Sequence, residues 1–291
     1  MSNEFVKPNG ISAHVLETAQ TRKRATNWWL IIVAALFIIV PFLTWYTTWF
    51  GRSLSDEKIA EYLGDEKNPR HIQHALTQIE VRMEKGDATV RKFYPQIIQL
   101  TKSPTGEVRK TVAWVMGQDN ASEDFHRALL LLLNDNEPLV RRNAALQLVR
   151  FGDASGRSEL RAMLGVFEAK SPISGTLVSL LPQGSKVKAG SLLARIRDSS
   201  GNVQEFRAPI DGTIKTPIAK EGDQVAANQT IVWLIPDRAT IIDALRALAY
   251  VGTGEDLPLV ESCAQVDGSS ETATQATLTS KAIRSRTDSS R

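Results

Sequence analysis

The spacing of apolar residues changes four times along the chain, and each change marks a predicted boundary. Residues 27–50 are almost continuously apolar, and residues 52–165 place apolar side chains at helical intervals. Residues 166–236 have short runs of β-branched residues and leucine between glycines and prolines, which is typical of strands. Helical spacing returns over 237–266, and residues 267–291 have no apolar period. The pattern predicts helical and all-β parts in one chain.

Two stretches of the helical part are copies of one unit. Each copy begins with a Val–Arg pair, at Val108 and at Val140, followed by alanine five residues and by methionine or leucine eight residues after the valine. These intervals place the apolar side chains on one helix face. A weaker copy is predicted upstream, over 69–83 and 88–101. The pattern resembles HEAT-type repeats, and the resemblance implies a short α-solenoid over 52–165.

The helical repeat resumes after the strand-rich segment. Residues 240–252 match residues 140–152 at an offset of 100 positions, which places a final helix pair at 237–266. The strand-rich segment is therefore predicted to lie in the loop between two consecutive repeats. An insertion of this kind leaves the stacked core intact only when the chain leaves and rejoins the stack at neighbouring points, so we expect the solenoid to hold the inserted domain in place.

The inserted segment repeats itself. The Gly–Thr pair at Gly175 recurs at Gly212, 37 positions later, and Val187 recurs as Val225 after a one-residue slip. Each half is too small to bury its own apolar face. We therefore expect the halves to form one core as a pseudo-twofold pair of packed sheets.

The same motifs resemble the biotinyl/lipoyl-type barrel-sandwich domain over residues 166–236. In carrier proteins of this family, a hairpin between the halves presents a lysine that carries the cofactor. The corresponding tip here is Ser199, Ser200, Gly201 and Asn202, without a lysine, so we expect no cofactor. The domain is also similar to the sandwich of membrane fusion proteins, the periplasmic adaptors of bacterial exporters, which need no modified lysine. Those adaptors usually have a long helical hairpin where this chain has a short tip.

The uncharged apolar segment at 27–50 predicts one transmembrane helix. A helix over 28–50 would run roughly 34 Å, enough for a hydrocarbon core of about 30 Å. Aromatic residues at both of its ends are typical of membrane interfaces. The basic residues at 22–24 then place a tail, 1–26, in the cytoplasm and the rest of the chain in the periplasm. A cleaved signal peptide is the alternative, but the apolar run is long for one.

Composition narrows the function classes. A net charge of +3 over 291 residues is too small to indicate a nucleic-acid partner, and a single cysteine, Cys263, excludes an internal disulfide framework. His71 and His74 have helical spacing for a metal site but no cysteine nearby, so we interpret them as helix surface. Phosphate-binding loops and nucleophile elbows are missing from the sequence. We predict no catalytic residue, no metal site and no enzyme activity.

Two basic pairs, Arg109 with Lys110 and Arg141 with Arg142, occupy the same place in successive repeats. Stacking would align them as a stripe able to bind an acidic protein surface or anionic lipid. The structural interpretation is that the first arginine packs its stem on the neighbouring helix pair and bonds to an acidic partner, and docking is the functional alternative. The candidate partner contacts are therefore these four basic residues and three residues of the hairpin tip, Ser199, Ser200 and Asn202.

The predicted fold class is a membrane-anchored α+β protein of the bacterial inner membrane, with a HEAT-like solenoid, an inserted barrel-sandwich domain and a disordered tail at 267–291. The predicted function is a non-enzymatic adaptor or scaffold subunit of a cell-envelope complex, such as an exporter. The bilayer and a protein of that complex are the expected partners, and self-association is compatible with the sequence. Two alternatives stay open: a membrane-tethered scaffold facing the cytoplasm, and a carrier-like subunit of a membrane enzyme complex.

Overall fold

The computed structural model describes residues 28–49, 53–266 and 270–289. The chain divides into two compact units, residues 1–53 and residues 54–291. The predicted cytoplasmic tail at 1–26, with its basic residues, lies outside the described residues.

Helix α1, Trp28–Trp49, is the described element of the first unit and contains Pro41. The predicted transmembrane helix at 27–50 is wrong for the described residues, where no helix has both the length and the apolar character that a membrane crossing requires. The membrane-anchored fold class is corrected accordingly.

In the second unit, all the strands are consecutive in the sequence, and helices come before and after them. Polar caps fix several helix starts: Ser55 accepts a hydrogen bond from the backbone of Lys58, and Asp237 accepts one from the backbone of Thr240. The helices are α2 Asp56–Leu63, α3 Pro69–Glu84, α4 Tyr94–Gln99, α5 Gly106–Met116, α6 Glu123–Leu132, α7 Pro138–Arg150, α8 Arg157–Ala162, α9 Arg238–Val251, α10 Leu257–Val266 and α11 Ser270–Ser289.

Helices α3 to α9 form a stack, in which α5 packs with α6 and α7 packs with α8 as helix pairs. The first helices of the pairs, α3, α5, α7 and α9, contact one another in that order, and α4 contacts α6. The apolar stripe of each pair is buried against its neighbours, so that Val108 and Val140 are no more than 1% exposed. Helix α2 packs on α3 at the start of the array.

Eight strands form the inserted β module, and they pair as two four-stranded antiparallel sheets ordered β1-β8-β6-β3 and β5-β4-β2-β7. Both sheets contribute to one hydrophobic core. Each sheet keeps two free edges, so no barrel closes within the described module, and the expected barrel is corrected to two open sheets. The strands are β1 Phe167–Lys170, β2 Gly175–Leu180, β3 Lys186–Val187, β4 Leu192–Arg197, β5 Val203–Arg207, β6 Gly212–Pro217, β7 Gln224–Val225 and β8 Thr230–Pro236.

The two halves of the module exchange strands. The first half supplies β2, β3 and β4, but β3 pairs with β6 of the second half, while β7 of the second half pairs with β2. Each of the repeated glycines stands where two strands of its own half approach closely. A Cβ atom on Gly175 would lie 2.2 Å from the Arg197 carbonyl oxygen, and one on Gly212 would lie 2.4 Å from that of Ile235. The repeated Gly–Thr motif therefore reflects backbone contact inside each sheet.

The helical stack continues across the inserted module. Helix α9 contacts both α7 and α8, and Leu160 shares a buried cluster with Leu245 and Val260. Arg161 Nη1 lies 2.5 Å from Oδ1 of Asp256, a carboxylate that is fully buried. Apolar and ionic contacts thus join the repeats on the two sides of the insertion.

Residues 270–289 form helix α11, so the predicted disordered tail is wrong over this range. Helix α11 packs on α9 and α10. Its buried face includes Thr272, Ala276, Thr279 and Ile283, spaced at helical intervals, and the Thr279 hydroxyl donates a hydrogen bond to the Leu245 carbonyl. The helix covers the exposed side of the last repeat, which otherwise would have no neighbour.

We expect Arg109→Ala to lower the free energy of unfolding by roughly 3 kcal/mol, because it leaves the carboxylate of Asp135, which is 8% exposed, without its main counter-charge. Lys110→Ala is the matched control on the next position, where the lysine pairs with the exposed Glu107, and we expect a loss of less than about 1 kcal/mol. Urea unfolding of the two variants measures both. Equal losses would contradict the assignment of Arg109 to the inter-repeat contact.

Acid should weaken the first repeat through Asp87. Hydrogen bonds from the Thr89 side chain and from Arg82 lower the pKa of Asp87 from 3.8 to about 2. Because the folded-state pKa is depressed, the ionised carboxylate stabilises the fold fully above about pH 4, and this contribution is lost as the pH falls towards 2. We expect the difference in the free energy of unfolding between wild type and Asp87→Asn to shrink over that interval in urea titrations. A difference independent of pH there would contradict the assignment.

Candidate interaction surfaces

The first arginine of each basic pair hydrogen-bonds to an acidic side chain of the solenoid. Arg109 makes a two-pronged contact with Asp135, with Nε and Nη2 at 2.7 and 2.8 Å from the two carboxylate oxygens, and donates from Nη1 to the Ser103 carbonyl. Arg141 donates to Glu159 at 3.2 Å and to the Asp135 carbonyl at 2.8 Å. Arg109 thus joins its repeat to the loop before the next one, whereas Arg141 joins α7 to α8 of its own pair and to the preceding loop. Both arginines bond to an acidic partner, as the structural interpretation of the sequence expected.

The second residues of the pairs differ from each other. Arg142 is 4% exposed, and its Nε and Nη1 have no hydrogen-bond partner. Its guanidinium lies 5.6 Å from the ring centre of Phe167 and 3.7 Å from Oε1 of Glu159, and burial lowers its pKa. Lys110 stays half-exposed and pairs with Glu107. The basic stripe, which was the functional alternative for these pairs, therefore lacks exposed side chains at Arg109 and Arg142.

Contacts between α7 and the β module explain why Arg142 is buried. Leu139 packs against the module core, and Phe167 at the start of β1 covers the Arg142 guanidinium. On another side of the junction, Lys188 Nζ lies 2.6 Å from Asp211 and 3.7 Å from Asp237, the cap of α9. These apolar and polar contacts fix the module relative to α7 and α9.

The predicted hairpin tip is an exposed turn between β4 and β5. Asp198 holds it, because its Oδ1 accepts hydrogen bonds from the backbone N–H groups of Ser200 and Asn202, both at 2.9 Å. Gly201 has a φ of 87°, in the left-handed region that favours glycine. The side chains of Ser199, Ser200 and Asn202 are exposed, and Asn202 Nδ2 also donates to Oδ2 of Asp198 at 3.4 Å.

A groove between α4 and α6 was not predicted from the sequence. It encloses about 560 Å³, and its apolar lining includes Pro95, Ile98, Ala128 and Leu131. Leu131 is 76% exposed, an unusual exposure for leucine beside other apolar side chains. The signal was available as five consecutive leucines at 129–133, one of which must face outward on a two-faced helix.

The titratable side chains singled out in the sequence have local structural partners. His71 Nδ1 lies 2.7 Å from Asp65, and its ring stacks on Tyr62 with 4.2 Å between ring centres. His74 lies near the same tyrosine, at 6.1 Å. Cys263 is buried in the last repeat, and burial raises its pKa. Among the residues that the structure describes, no group of three or more His, Cys, Asp or Glu is placed to hold a metal ion.

Comparison with known proteins bears on the helical part. Residues 94–167 match the family model of HEAT repeats. This region is HEAT-like. The prediction of HEAT-type helices is thus confirmed from α4 to the beginning of β1.

The remaining comparisons leave the β module without a family. No curated protein matches the chain. Thirty solved chains match it, among them one described as a single-chain, multi-domain long-chain acyl-CoA carboxylase, at 16% identity and a TM-score of 0.24. That match covers 44% of this chain and 15% of the carboxylase chain. A likeness this low carries no argument about fold or activity.

We expect Arg142→Met to change the free energy of unfolding by less than about 1 kcal/mol. Methionine places apolar atoms beside Phe167 and removes a buried charge, while Glu159 keeps Arg141 as its partner. Thermal and urea unfolding measure the effect, with Arg109→Met as the control in which a two-pronged buried ion pair is broken. A loss of about 3 kcal/mol or more in Arg142→Met would show that this guanidinium is an essential structural ion.

Proposed function

We propose that this protein is a non-enzymatic interaction scaffold whose HEAT-like helix pairs hold the β module in a fixed orientation for a protein partner. The observation that carries the proposal is the stacking of α9 on α7 and α8 across the insertion. Because the chain leaves and rejoins one continuous stack, the module has two fixed attachment points. Leu139 and Arg142 add side-chain contacts to them. A module held in this way presents a pre-ordered surface, which lowers the entropic cost of binding.

The tip at 199–202 is the contact that we place first on that surface. Its turn is held by Asp198 and Gly201, so its three polar side chains are exposed on an ordered backbone. The groove between α4 and α6 is a second candidate contact, favoured by the 76% exposure of Leu131. Exposed apolar side chains at the centre of a groove are typical of protein interaction sites.

A finer proposal concerns the class of the partner. The exchange of strands between half-repeats and the close-approach glycines agree with the resemblance of the module to biotinyl/lipoyl-type domains. A tip without lysine favours a contact role over cofactor transport. Adaptors of bacterial exporters use a similar module in that way, so we propose a protein of a cell-envelope complex as the partner. This step depends on resemblance alone.

Site-specific photo-cross-linking in cells tests the scaffold role. A cross-linking residue at Ser199 or at Leu131 should give a discrete adduct, whereas one at Tyr250, a control with 75% exposure on α9, should not. Replacing Ser199, Ser200 and Asn202 with alanine should weaken binding of the identified, purified partner at least about tenfold while the turn remains. Adducts from all three positions, or from none, would count against a defined contact surface.

Intact-mass measurement of the purified protein separates the scaffold from the carrier-like alternative. The unmodified chain has a mass of 32.1 kDa, and we expect that mass. An added mass equal to a covalently attached cofactor would overturn the scaffold proposal and restore the carrier subunit.

A further inference from the structure

Strand β5 is an edge strand with one unpaired side. It pairs with β4 and lies at the end of the sheet order β5-β4-β2-β7. On its paired side, Asp198 N–H donates to the Asn202 carbonyl at 2.9 Å, and Ala208 N–H donates to the Ser191 carbonyl at 2.8 Å. Backbone direction alternates along a strand, so the even-numbered residues of β5 face β4. The N–H and C=O groups of residues 203, 205 and 207 therefore point away from the sheet.

The side chains of β5 divide into two sets. Phe206 packs against the module core on one face of the sheet. Glu205 and Arg207 lie on the other face, 42% and 59% exposed, with 2.5 Å between Oε2 and Nη2. The free edge therefore combines three outward-facing backbone positions with one acidic and one basic side chain, placed on either side of Phe206.

We propose that this edge is a docking surface for a second copy of the chain, which extends the sheet by antiparallel pairing of β5 with β5 about a twofold axis at Phe206. In that register Glu205 of each copy lies opposite Arg207 of the other, and Phe206 lies opposite Phe206. The two Glu205:Arg207 positions have their backbone groups directed outward, so each can exchange two hydrogen bonds with its opposite, four in all. The inference does not depend on the scaffold role proposed above.

Charge complementarity selects both the partner and the register. A twofold axis at Glu205 would place two carboxylates opposite each other, and an axis at Arg207 would place two guanidinium groups opposite each other, which is unfavourable on one face of a sheet. The axis at Phe206 instead forms two cross-strand ion pairs on one face and an aromatic pair beside the core on the other. Val203 would then lie opposite Pro209, which has no N–H, so the pairing ends there.

Charge substitutions at two positions test this contact in the full-length chain. Glu205→Arg creates only Arg–Arg pairs across the axis, and Arg207→Glu creates only Glu–Glu pairs. We expect each single variant to raise the dissociation constant of the dimer at least about tenfold in sedimentation velocity. The double variant E205R/R207E restores opposite charges in both pairs across the axis and should recover dimerisation.

Mixing the two single variants gives the sharpest result. A heterodimer of E205R with R207E places Arg opposite Glu at both positions, so the mixture should dimerise although neither variant does alone. Misfolding of either variant cannot produce that recovery, and thermal unfolding of each variant checks the fold separately. Association that is the same in all variants, or that is lost in the double variant and in the mixture, would overturn the proposal. Binding of an unrelated peptide strand at this edge without self-association would also overturn it.

Discussion

The structure depends on one constraint: a helix pair of this kind can bury its apolar stripe only against another pair. The constraint is most severe where the β module interrupts the chain. If the module pushed the flanking repeats apart, Leu160, Leu245 and Val260 would each lose the shared buried cluster that they now occupy. The close packing of α8 on α9 therefore also sets the geometry of the module, because it requires the two ends of the module to lie side by side.

The module satisfies that requirement through its internal symmetry. Its first and last strands in the sequence, β1 and β8, pair with each other, so the chain enters and leaves the module along neighbouring strands of one sheet. The exchange of β3 and β7 between the halves then commits both sheets to a single core. A half-module could not keep that core alone, since each sheet takes its last strand from the other half. The module is thus joined to the solenoid by two paired strands that lead directly to packed helices, not by a flexible linker.

Local spacing was enough to predict the parts of the fold whose burial follows from their own sequence. The valines at 108 and 140 and the recurrence at an offset of 100 located the stacked first helices and the interruption between them. Helix α11 was missed because most of its buried face consists of small or polar residues, among them Thr272, Ala276 and Thr279, which add no apolar period to the sequence. Their burial comes from small side chains that allow close packing on α9, and composition alone does not distinguish such a helix from a polar tail.

Lys110 and Arg142 show why the candidate contacts could not all be predicted. The two residues occupy the same position in successive repeats, 32 residues apart, and they look alike in the sequence. In the structure, the side chain of Lys110 is 31% exposed and that of Arg142 is 5% exposed. Arg142 lies against Phe167, which belongs to the inserted module, whereas Lys110 pairs with the exposed Glu107 of its own helix. An insertion therefore changes the role of a repeat position without changing its residue type, because it turns a solvent-facing site into part of an internal junction.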